Sequence, residues 1–358
     1  MLSMARAFLL FSGHNDRAVV TLCRFFERAG LAFVIVAAGR NDAIHRTAYR
    51  DRVIFDRLDA IVSVALLRQI ADSAPMPLIY CPTTEFINDF VLRHRNELAG
   101  TRLRIGLPDK AVYHRLTSKL ASQVALVDVA GLRMPQAMPM NALQPPCVLK
   151  PKANVDRNKV LYPMLCRTRE ELDAALAGID ADAYFAQDYV VGQSYYLCAY
   201  LAKSGRRASY WQENLLQQSG GKSIVLARAC DNPGFDADAL LSHIAGLGHH
   251  GPLMIELIHN DCGFHYIEIN PRFWGPLQLA LDHCPQLLAL FAEDHGCAPR
   301  AALQVDARRA GHYAWAFGAR QSGLKRYPSA EGLTQVERLL REHDIYAGAD
   351  TARLHDCH

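Results

Sequence analysis

The chain has 358 residues, half of them apolar, which is enough to bury the core of a globular protein with two or three subdomains. Its 39 Lys and Arg residues nearly balance 36 Asp and Glu residues, for a formal net charge of +3, so the charge pattern argues against a nucleic-acid-binding protein. No window reaches the roughly 18 to 20 consecutive apolar residues that span a bilayer, so we expect no membrane segment.

Cysteine usage and the start of the chain indicate the cellular compartment. The ten cysteines include no C-x-x-C pair, and the apolar run near the N-terminus is too short for a signal peptide. We therefore expect a cytoplasmic protein with reduced thiols.

The first hundred residues alternate between strand and helix patterns. The segment "ARAFLLFSG" predicts a strand, "DRAVVTLCRFFERAG" a helix ended by Gly30, and "LAFVIVAAG" a second strand, which together form a βαβ unit. A strand-like "PLIYCPT" and a helix-like "TEFINDFVLRHRNELAG" follow. Residues 1–108 therefore predict a small open α/β domain, and they lack the G-x-G-x-x-G fingerprint of dinucleotide sites.

The rest of the chain mixes helices with longer strands. The segment "DKAVYHRLTSKLASQVALVDVAG" predicts one helix ended by Gly131, and "TREELDAALAGID" a helix capped by Thr168. Between them, "PPCVLKPKANVDRNKVLYPM" predicts two strands around a polar loop. Next, "YFAQDYVVGQSYYLCAYLAKSGRRASYWQE" predicts a strand and a long hairpin that turns near "KSGR", while further on "GHYAWAFGA" predicts a strand and "AEGLTQVERLLREHD" a polar helix.

The stretch "MIELIHNDCGFHYIEINPRFWGP" places charged and amide side chains inside a sequence that is otherwise typical of buried strands. A three-residue loop at Asp261–Gly263 would pair Asn260 with Phe264 and Glu256 with Glu268. Residues directly opposite each other in such a pair have Cβ atoms about 5 Å apart.

Alternation gives this hairpin one polar and one apolar face. The polar face carries Glu256, Glu268, Asn270 and Arg272. The apolar face, which we expect in the core, carries Leu253, Ile255, Leu257, Ile267 and Ile269.

Two facing carboxylates repel each other and lose solvation when buried, so a cation is expected between them. Carboxylate and amide oxygens suit Mg²⁺ that takes its other ligands from water and phosphate. The alternative is an exposed hairpin face whose charges lie in water.

This stretch resembles the closing motif of ATP-grasp ligases, in which an acid on one strand and E-x-N-x-R on the next bind magnesium and the transferring phosphate. Four more segments are similar to motifs of that family: "TSKLASQVALVDVAGLRMP", "PPCVLKP", "AQDYVVGQSY" and "GGKS", the last being a loop of the carbamoyl-phosphate-synthase-like branch. In order and spacing, these segments cover roughly residues 110–295.

The resemblance implies an α/β (α+β) protein with the ATP-grasp fold behind an N-terminal open α/β (pre-ATP-grasp) domain. Residues 109–185 would be the lid or central subdomain, and residues 186–300 the C-terminal subdomain with the metal site. Residues 301–358 look like a C-terminal appendage without an assigned role.

The resemblance also implies a role for each site residue. The nucleotide would be bound by Lys119, Lys150, Lys152 and the hinge residues Gln187, Asp188, Tyr189 and Val190. The metal ligands would be Glu256, Glu268 and Asn270. The catalytic residues would be Arg272, Glu268 and Asn270. Surface lysines, an ordinary strand connection and an arginine that only neutralises the acids are the alternative interpretations.

The reaction implied by the resemblance uses ATP with Mg²⁺, or with Mn²⁺ in its place. A small-molecule carboxylate attacks the γ-phosphate to give an acyl phosphate and ADP, and an amine then displaces phosphate. Two alternatives stay open: a small-molecule kinase on the same fold, and a nucleotide-binding regulatory protein without turnover. A homodimer is the default expectation for the oligomeric state.

Two departures from the family pattern bear on nucleotide binding. The loop after Lys150, "PKANVDRNKV", contains no glycine, so Lys152, Arg157 and Lys159 are the candidates to supply charge there. The acid that contacts ribose in the family is absent, since Gln193 and Ser194 occupy that region. Both departures put ATP affinity in question.

Overall fold

The computed structural model describes residues 6–58, 61–152, 155–156, 159–300, 303–305 and 311–354. Its first layer contains five strands, β1 to β5, at Ala7–Phe11, Ala32–Ala37, Val53–Asp56, Leu78–Tyr80 and Leu103–Arg104. Three helices, α1 to α3, lie at Asp16–Ala29, Val64–Ser73 and Glu85–Arg93. The strands form a parallel sheet in the order β3-β2-β1-β4-β5, which confirms the predicted open α/β layer.

The order of this sheet places an open crevice beside β1. Strand β1 is buried along its whole length, as expected for a parallel strand covered on both faces. Helix α1 ends at Gly30, which has φ 64° and donates its backbone N–H to the last turn of the helix. From β1 the chain continues to β2 and β3 at one edge of the sheet, and then crosses to β4 on the opposite side of β1. In open α/β sheets, ligands usually bind where the strand order reverses in this way, which here is between the carboxyl ends of β1 and β4.

The second part of the chain forms a smaller sheet. Its elements, in chain order, are α4 Lys110–Thr117, α5 Lys119–Leu126, β6 Leu132–Arg133, β7 Ala137–Met138, β8 Cys147–Pro151, β9 Val155–Asp156, β10 Lys159–Val160, β11 Met164–Cys166, α6 Arg169–Ala177 and β12 Tyr184–Asp188. Strands β11-β8-β12-β7 form an antiparallel sheet, and β9 pairs with β10. This sheet packs with α6 around its own small core, which includes Leu149, Cys166 and Leu172.

The prediction of one helix ending at Gly131 is wrong, because the chain forms the two helices α4 and α5. Ser118 between them has the extended angles φ −70° and ψ 119°. Its Oγ accepts a hydrogen bond from the N–H of Ala121 at 3.3 Å, which caps α5. This local side-chain bond competes with helix continuation, and it makes Lys119 the first residue of α5.

The remainder builds a large sheet with flanking helices. Its elements are β13 Gln193–Leu201, β14 Arg207–Gln218, β15 Ile224–Cys230, α7 Ala237–Gly246, β16 Gly251–Asn260, β17 Gly263–Asn270, α8 Leu277–His283, α9 Gln286–Asp294, β18 His312–Ala314, α10 Ala316–Gln321, β19 Leu324–Arg326 and α11 Leu333–Glu342. The strand order is β18-β15-β14-β13-β16-β17-β6, and β19 pairs with the end of β14. Short 3₁₀ helices lie at Ala43–Arg46, Ala48–Arg52, Ala181–Ala183 and Ala349–Leu354.

The C-terminal part of the chain belongs to this large sheet. Strand β18 is followed by α10, so the prediction of one strand across "GHYAWAFGA" is wrong in its second half. Because β18 and β19 both pair with strands of the large sheet, the C-terminal residues are integrated into the same layer. The domain boundaries after residues 108, 185 and 300 stay predictions. No helix among the described residues is long and apolar enough to cross a membrane.

Candidate active site

The two glutamates of the β16–β17 hairpin lie directly opposite each other. Glu256 pairs with Glu268, as predicted. The predicted three-residue loop is wrong, however, since Asn260 pairs with Gly263 across a two-residue turn. The Asn260 side chain stabilises this turn by accepting a hydrogen bond from the N–H of Cys262 at 2.9 Å.

A β-bulge at Ile267 restores the register of the glutamates. The pairing shifts between Glu256 and Leu257, and Ile267 is the residue left without a partner on β16. Ile267 is half-buried and faces a cavity, so its predicted place in the core is wrong. The other four residues of the predicted apolar face are buried in the core: Leu253, Ile255, Leu257 and Ile269.

The electrostatic environment makes the two glutamates unequal. Burial raises the pKa of Glu256 to about 7, and the neighbouring Glu268 adds to this effect. For Glu268, burial also acts to raise the pKa, but the Lys119 ammonium and the Asn270 amide outweigh it, and the pKa is lowered. Between these two pKa values, at mildly acidic pH, the pair therefore holds one proton and one negative charge.

Three cationic side chains surround this pair. Lys119 Nζ lies 3.7 Å from Glu268 Oε2. Lys150 Nζ donates to the carbonyl of Ile267 at 3.0 Å, and burial lowers the Lys150 pKa to about 8. Arg272 Nη2 donates to Asn270 Oδ1 at 3.2 Å, and Asn270 Nδ2 donates to Glu268 Oε1 at 2.8 Å. The bulge thus gives Lys150 its carbonyl partner and links the small sheet to the large one.

The structure does not bring Lys152 to this cluster. Its side chain is exposed, and its backbone N–H donates to the carbonyl of Ala183 at 2.8 Å. Arg157 and the side chain of Lys159 lie outside the described residues. Arg167, which sequence reasoning missed, lines the cavity described next.

A cavity of about 290 Å³, the hinge cavity, lies between the small and the large sheet. Val148 and Leu165 line it from the small sheet, and Ile258 and Ile267 line it from the large sheet. Its remaining lining residues include Lys150, all four predicted hinge residues (Gln187, Asp188, Tyr189 and Val190), Glu256, Glu268, Lys325 and Tyr327. Apolar side chains that face each other across a cavity, together with polar and charged groups, are typical of sites for small-molecule ligands.

The hinge is held in place by hydrogen bonds to helix α5 and to the residue before β7. Gln187 Oε1 accepts from Gln123 Nε2 at 3.0 Å, and the N–H of Asp188 donates to the carbonyl of Gln136 at 2.9 Å. Tyr189 and Val190 follow the last ladder pair of β12 with β8, so their backbone lies beyond the sheet and beside the cavity.

A second cavity of about 470 Å³, the acceptor cavity, adjoins the hinge cavity. Glu268 and Gly221 line both cavities. Asn270, Arg272 and Lys222 line the acceptor cavity from the large sheet and its loops. From the first layer, the lining residues are His14, Asn15, Arg17, Thr83, Thr84 and Glu85, which follow the carboxyl ends of β1 and β4.

The "GGKS" loop joins the first layer to this cavity. Gly220 and Gly221 have φ 79° and 71°, values that favour glycine. Arg17 of α1 donates to Ser223 Oγ at 2.9 Å and to the carbonyl of Ile224 at 3.2 Å. The loop is thereby fixed next to the crevice between β1 and β4.

The donor set fits a hard divalent cation with incomplete protein ligation. Glu256 and Glu268 face each other across the strand pair and, when both are ionised, offer two carboxylates to one cation. Among the described residues, no three Cys, His, Asp or Glu side chains gather into a metal site. A metal at Glu256 and Glu268 would therefore take further ligands from Asn270, water and a ligand's phosphates.

Structural comparison places this architecture among known folds. No protein-family model and no curated protein sequence matches the chain. N5-carboxyaminoimidazole ribonucleotide synthetase from Thermus thermophilus superposes with a TM-score of 0.60 at 17% identity, covering 94% of this chain and 97% of that chain. The corresponding synthase from Aspergillus clavatus, in complex with ADP and 5-aminoimidazole ribonucleotide, gives 0.57 at 14% identity, with 79% and 74% covered.

A biotin carboxylase from Campylobacter jejuni, in a β,γ-ATP complex, is also similar. Its TM-score is 0.61 at 12% identity, covering 85% of this chain and 74% of that chain. At these identities, the likeness establishes the fold. The chain has the ATP-grasp fold, behind an N-terminal open α/β layer.

Proposed function

We propose that the protein is an ATP-dependent ligase that activates a small-molecule carboxylate as an acyl phosphate and joins it to an amine. What supports this most directly is that Glu268 lines both cavities. A nucleotide in the hinge cavity and an acceptor in the acceptor cavity would meet at this carboxylate, where Lys119 and Arg272 also converge.

In the hinge cavity, the nucleotide base lies between the apolar side chains of the small sheet and those of the large sheet. It forms hydrogen bonds with the backbone of Tyr189 and Val190. Its phosphates extend toward Lys150 and the two glutamates. Lys119 and Lys150 neutralise phosphate oxygens, since a long-stemmed ammonium reaches them without fixed geometry. The nucleotide complexes of the similar synthase and carboxylase support the use of ATP.

Mg²⁺, or Mn²⁺ in its place, would be held by Glu256, Glu268 and Asn270 and would supply positive charge next to the transferring phosphate. Arg272 stabilises negative charge on the transferring phosphoryl group and on the acyl phosphate, because its planar guanidinium donates two parallel hydrogen bonds. The Arg272 guanidinium donates a hydrogen bond to Asn270 and lies at the border of the acceptor cavity.

In the acceptor cavity, the carboxylate oxygen attacks the γ-phosphorus and ADP leaves. The amine then attacks the acyl carbon and phosphate leaves, with the amine proton passing to a base or to water. The main contributions of the protein are positioning, charge neutralisation and exclusion of water from the acyl phosphate. We assign the lid role to the small sheet within residues 109–185, because it packs around a core of its own and reaches the large sheet through Lys150.

The test is nucleotide product analysis with purified protein, Mg²⁺ and ATP. Pooled carboxylates and pooled amines are added separately and together, and Glu268→Ala is the control. Repeated turnover of ATP to ADP and phosphate by the wild type only when both pools are present supports the ligase. No turnover with any pool, despite ADP binding, favours the regulatory protein.

Hydroxylamine separates the ligase from a kinase on the same fold. With the carboxylate pool alone, a ligase forms an acyl phosphate that hydroxylamine converts to a hydroxamate. A kinase instead releases a phosphorylated product that is stable to hydroxylamine. A stable phosphorylated product without hydroxamate would contradict the proposed function.

A further inference from the structure

The C-terminal strand β19 borders the hinge cavity. It pairs with the end of β14, with Lys325 opposite Gln217. The N–H of Tyr327 continues this pairing by donating to the carbonyl of Leu215 at 3.0 Å. Lys325 and Tyr327 are two residues apart, and both line the hinge cavity.

Lys325 lies beside two tyrosine rings, and its charge reaches Glu256, where it partly offsets the effect of burial on the pKa of that carboxyl. Its Nζ lies 5.5 Å from the ring centroid of Tyr189 and 4.6 Å from that of Tyr327. Among the described residues, no carboxylate oxygen lies within the 4.0 Å of an ion pair from its Nζ, so Lys325 acts on Glu256 through space. Tyr327 is buried and donates its hydroxyl to Gln217 Oε1 at 2.6 Å, so the ring beside Lys325 is fixed.

The residues at the expected ribose site are engaged elsewhere. Gln193 Nε2 donates to the carbonyl of Asn214 at 2.7 Å, and its Oε1 accepts from the N–H of Ser329 at 3.0 Å. Ser194 Oγ accepts from Asn214 Nδ2 at 2.8 Å. These side chains connect β13 to β14 and to Ser329, while Lys325 of β19 brings a charged group to the cavity.

We infer that Lys325 is a nucleotide-binding residue, which contacts the phosphate oxygens nearest the ribose. This inference rests on the proposed nucleotide site. Lys325 lies beside Tyr189 of the hinge and shares the cavity with Glu256, so it is located between the base end and the metal end of the site. An ammonium at this position favours a phosphorylated nucleotide over the free nucleoside. The loop after Lys150 has no glycine that would let its backbone N–H groups approach the phosphates closely, and Lys325 supplies positive charge in their place.

The test compares Lys325→Met with the matched control Arg326→Met. Arg326 is the next residue in β19, is exposed, and donates to the carbonyl of Glu331 rather than lining the cavity. Binding of ADP and of adenosine is measured by isothermal titration calorimetry without Mg²⁺. Thermal unfolding by circular dichroism confirms that each variant is folded.

The expected result is that Lys325→Met weakens ADP binding about tenfold or more, as for the loss of a hydrogen bond to a charged group, and leaves adenosine binding unchanged. Arg326→Met should bind both ligands like the wild type, and Lys325→Arg should retain most of the ADP affinity. Equal ADP affinity in Lys325→Met and wild type, or equal losses for ADP and adenosine, would overturn the role of Lys325 alone. A wild type that binds neither ligand would overturn the proposed function as well.

Discussion

Replacing Glu256 by glutamine should stabilise the ligand-free protein at alkaline pH. Glu256 is buried opposite Glu268, and its pKa is raised from 4.5 to about 7. A carboxyl with a raised pKa in the folded state favours folding most below its unfolded pKa, and this contribution is lost as the pH rises through the folded pKa. Glutamine has nearly the same shape, keeps an acceptor for Ser194 and carries no charge to bury.

The size of the effect follows from the two pKa values. An ionised Glu256 costs on the order of 3 kcal/mol of folding free energy, because one pKa unit corresponds to about 1.4 kcal/mol. Of this, about 2 kcal/mol develops between about pH 5.5 and about pH 8.5. Without metal, the difference in unfolding free energy between Glu256→Gln and wild type should therefore increase by about 2 kcal/mol over this range.

Urea unfolding monitored by circular dichroism, in buffer with a metal chelator, measures this difference at both pH values. Other groups titrate in both proteins and change both unfolding free energies. The informative quantity is therefore how much the difference between the two unfolding free energies changes from one pH to the other. A difference that is the same at both pH values would refute the claim that Glu256 is a buried acid with a raised pKa.

Three further changes test the roles of neighbouring residues. Glu268→Ala should abolish ADP-forming turnover and keep the fold, because it removes a metal ligand together with the repulsion of Glu256; an unfolded or fully active variant would contradict this. Arg272→Lys should reduce turnover on the order of 100-fold, since an ammonium cannot replace a bidentate guanidinium, and a wild-type rate would count against its role. ADP affinity should fall as the pH rises above about 8, where ligand-free Lys150 loses its proton, and Lys150→Met should lose this pH dependence; the same decline in both proteins would assign it to another group.

Local patterns in the sequence predict the elements that position the site. The βαβ start follows from apolar periodicity and from Gly30, whose positive φ ends α1. Alternation and an assumed turn predict the opposition of Glu256 and Glu268, and the structure confirms that pair. Alternation is a property of each strand by itself, which is why one sequence can reveal it.

The details of register could not be predicted in the same way. The turn has two residues because Asn260 bonds to the N–H of Cys262, and the bulge at Ile267 adds back the residue that the shorter turn removes. The two differences cancel at the glutamates but move Ile267 from the core to the hinge cavity. Similarly, the side chain of Ser118 interrupts a pattern that otherwise predicts one helix.

Other cavity residues come from distant parts of the chain. Lys325 reaches the hinge cavity only because β19 pairs with β14, about a hundred residues earlier. His14 and Arg17 line the acceptor cavity only because the first layer packs against the large sheet. Such pairings leave no local signal in a single sequence, although residues directly after a buried parallel strand are general candidates for ligand sites.

The measurement that tests the central claim most directly is the effect of Mg²⁺ on ADP binding, by isothermal titration calorimetry, in the wild type and in Glu268→Gln. If the two glutamates hold a metal against the nucleotide's phosphates, Mg²⁺ should tighten ADP binding to the wild type and should have little effect on the variant. A wild type that does not bind ADP, or an equal effect of Mg²⁺ on both proteins, would contradict the assignment of this face as the metal–nucleotide site.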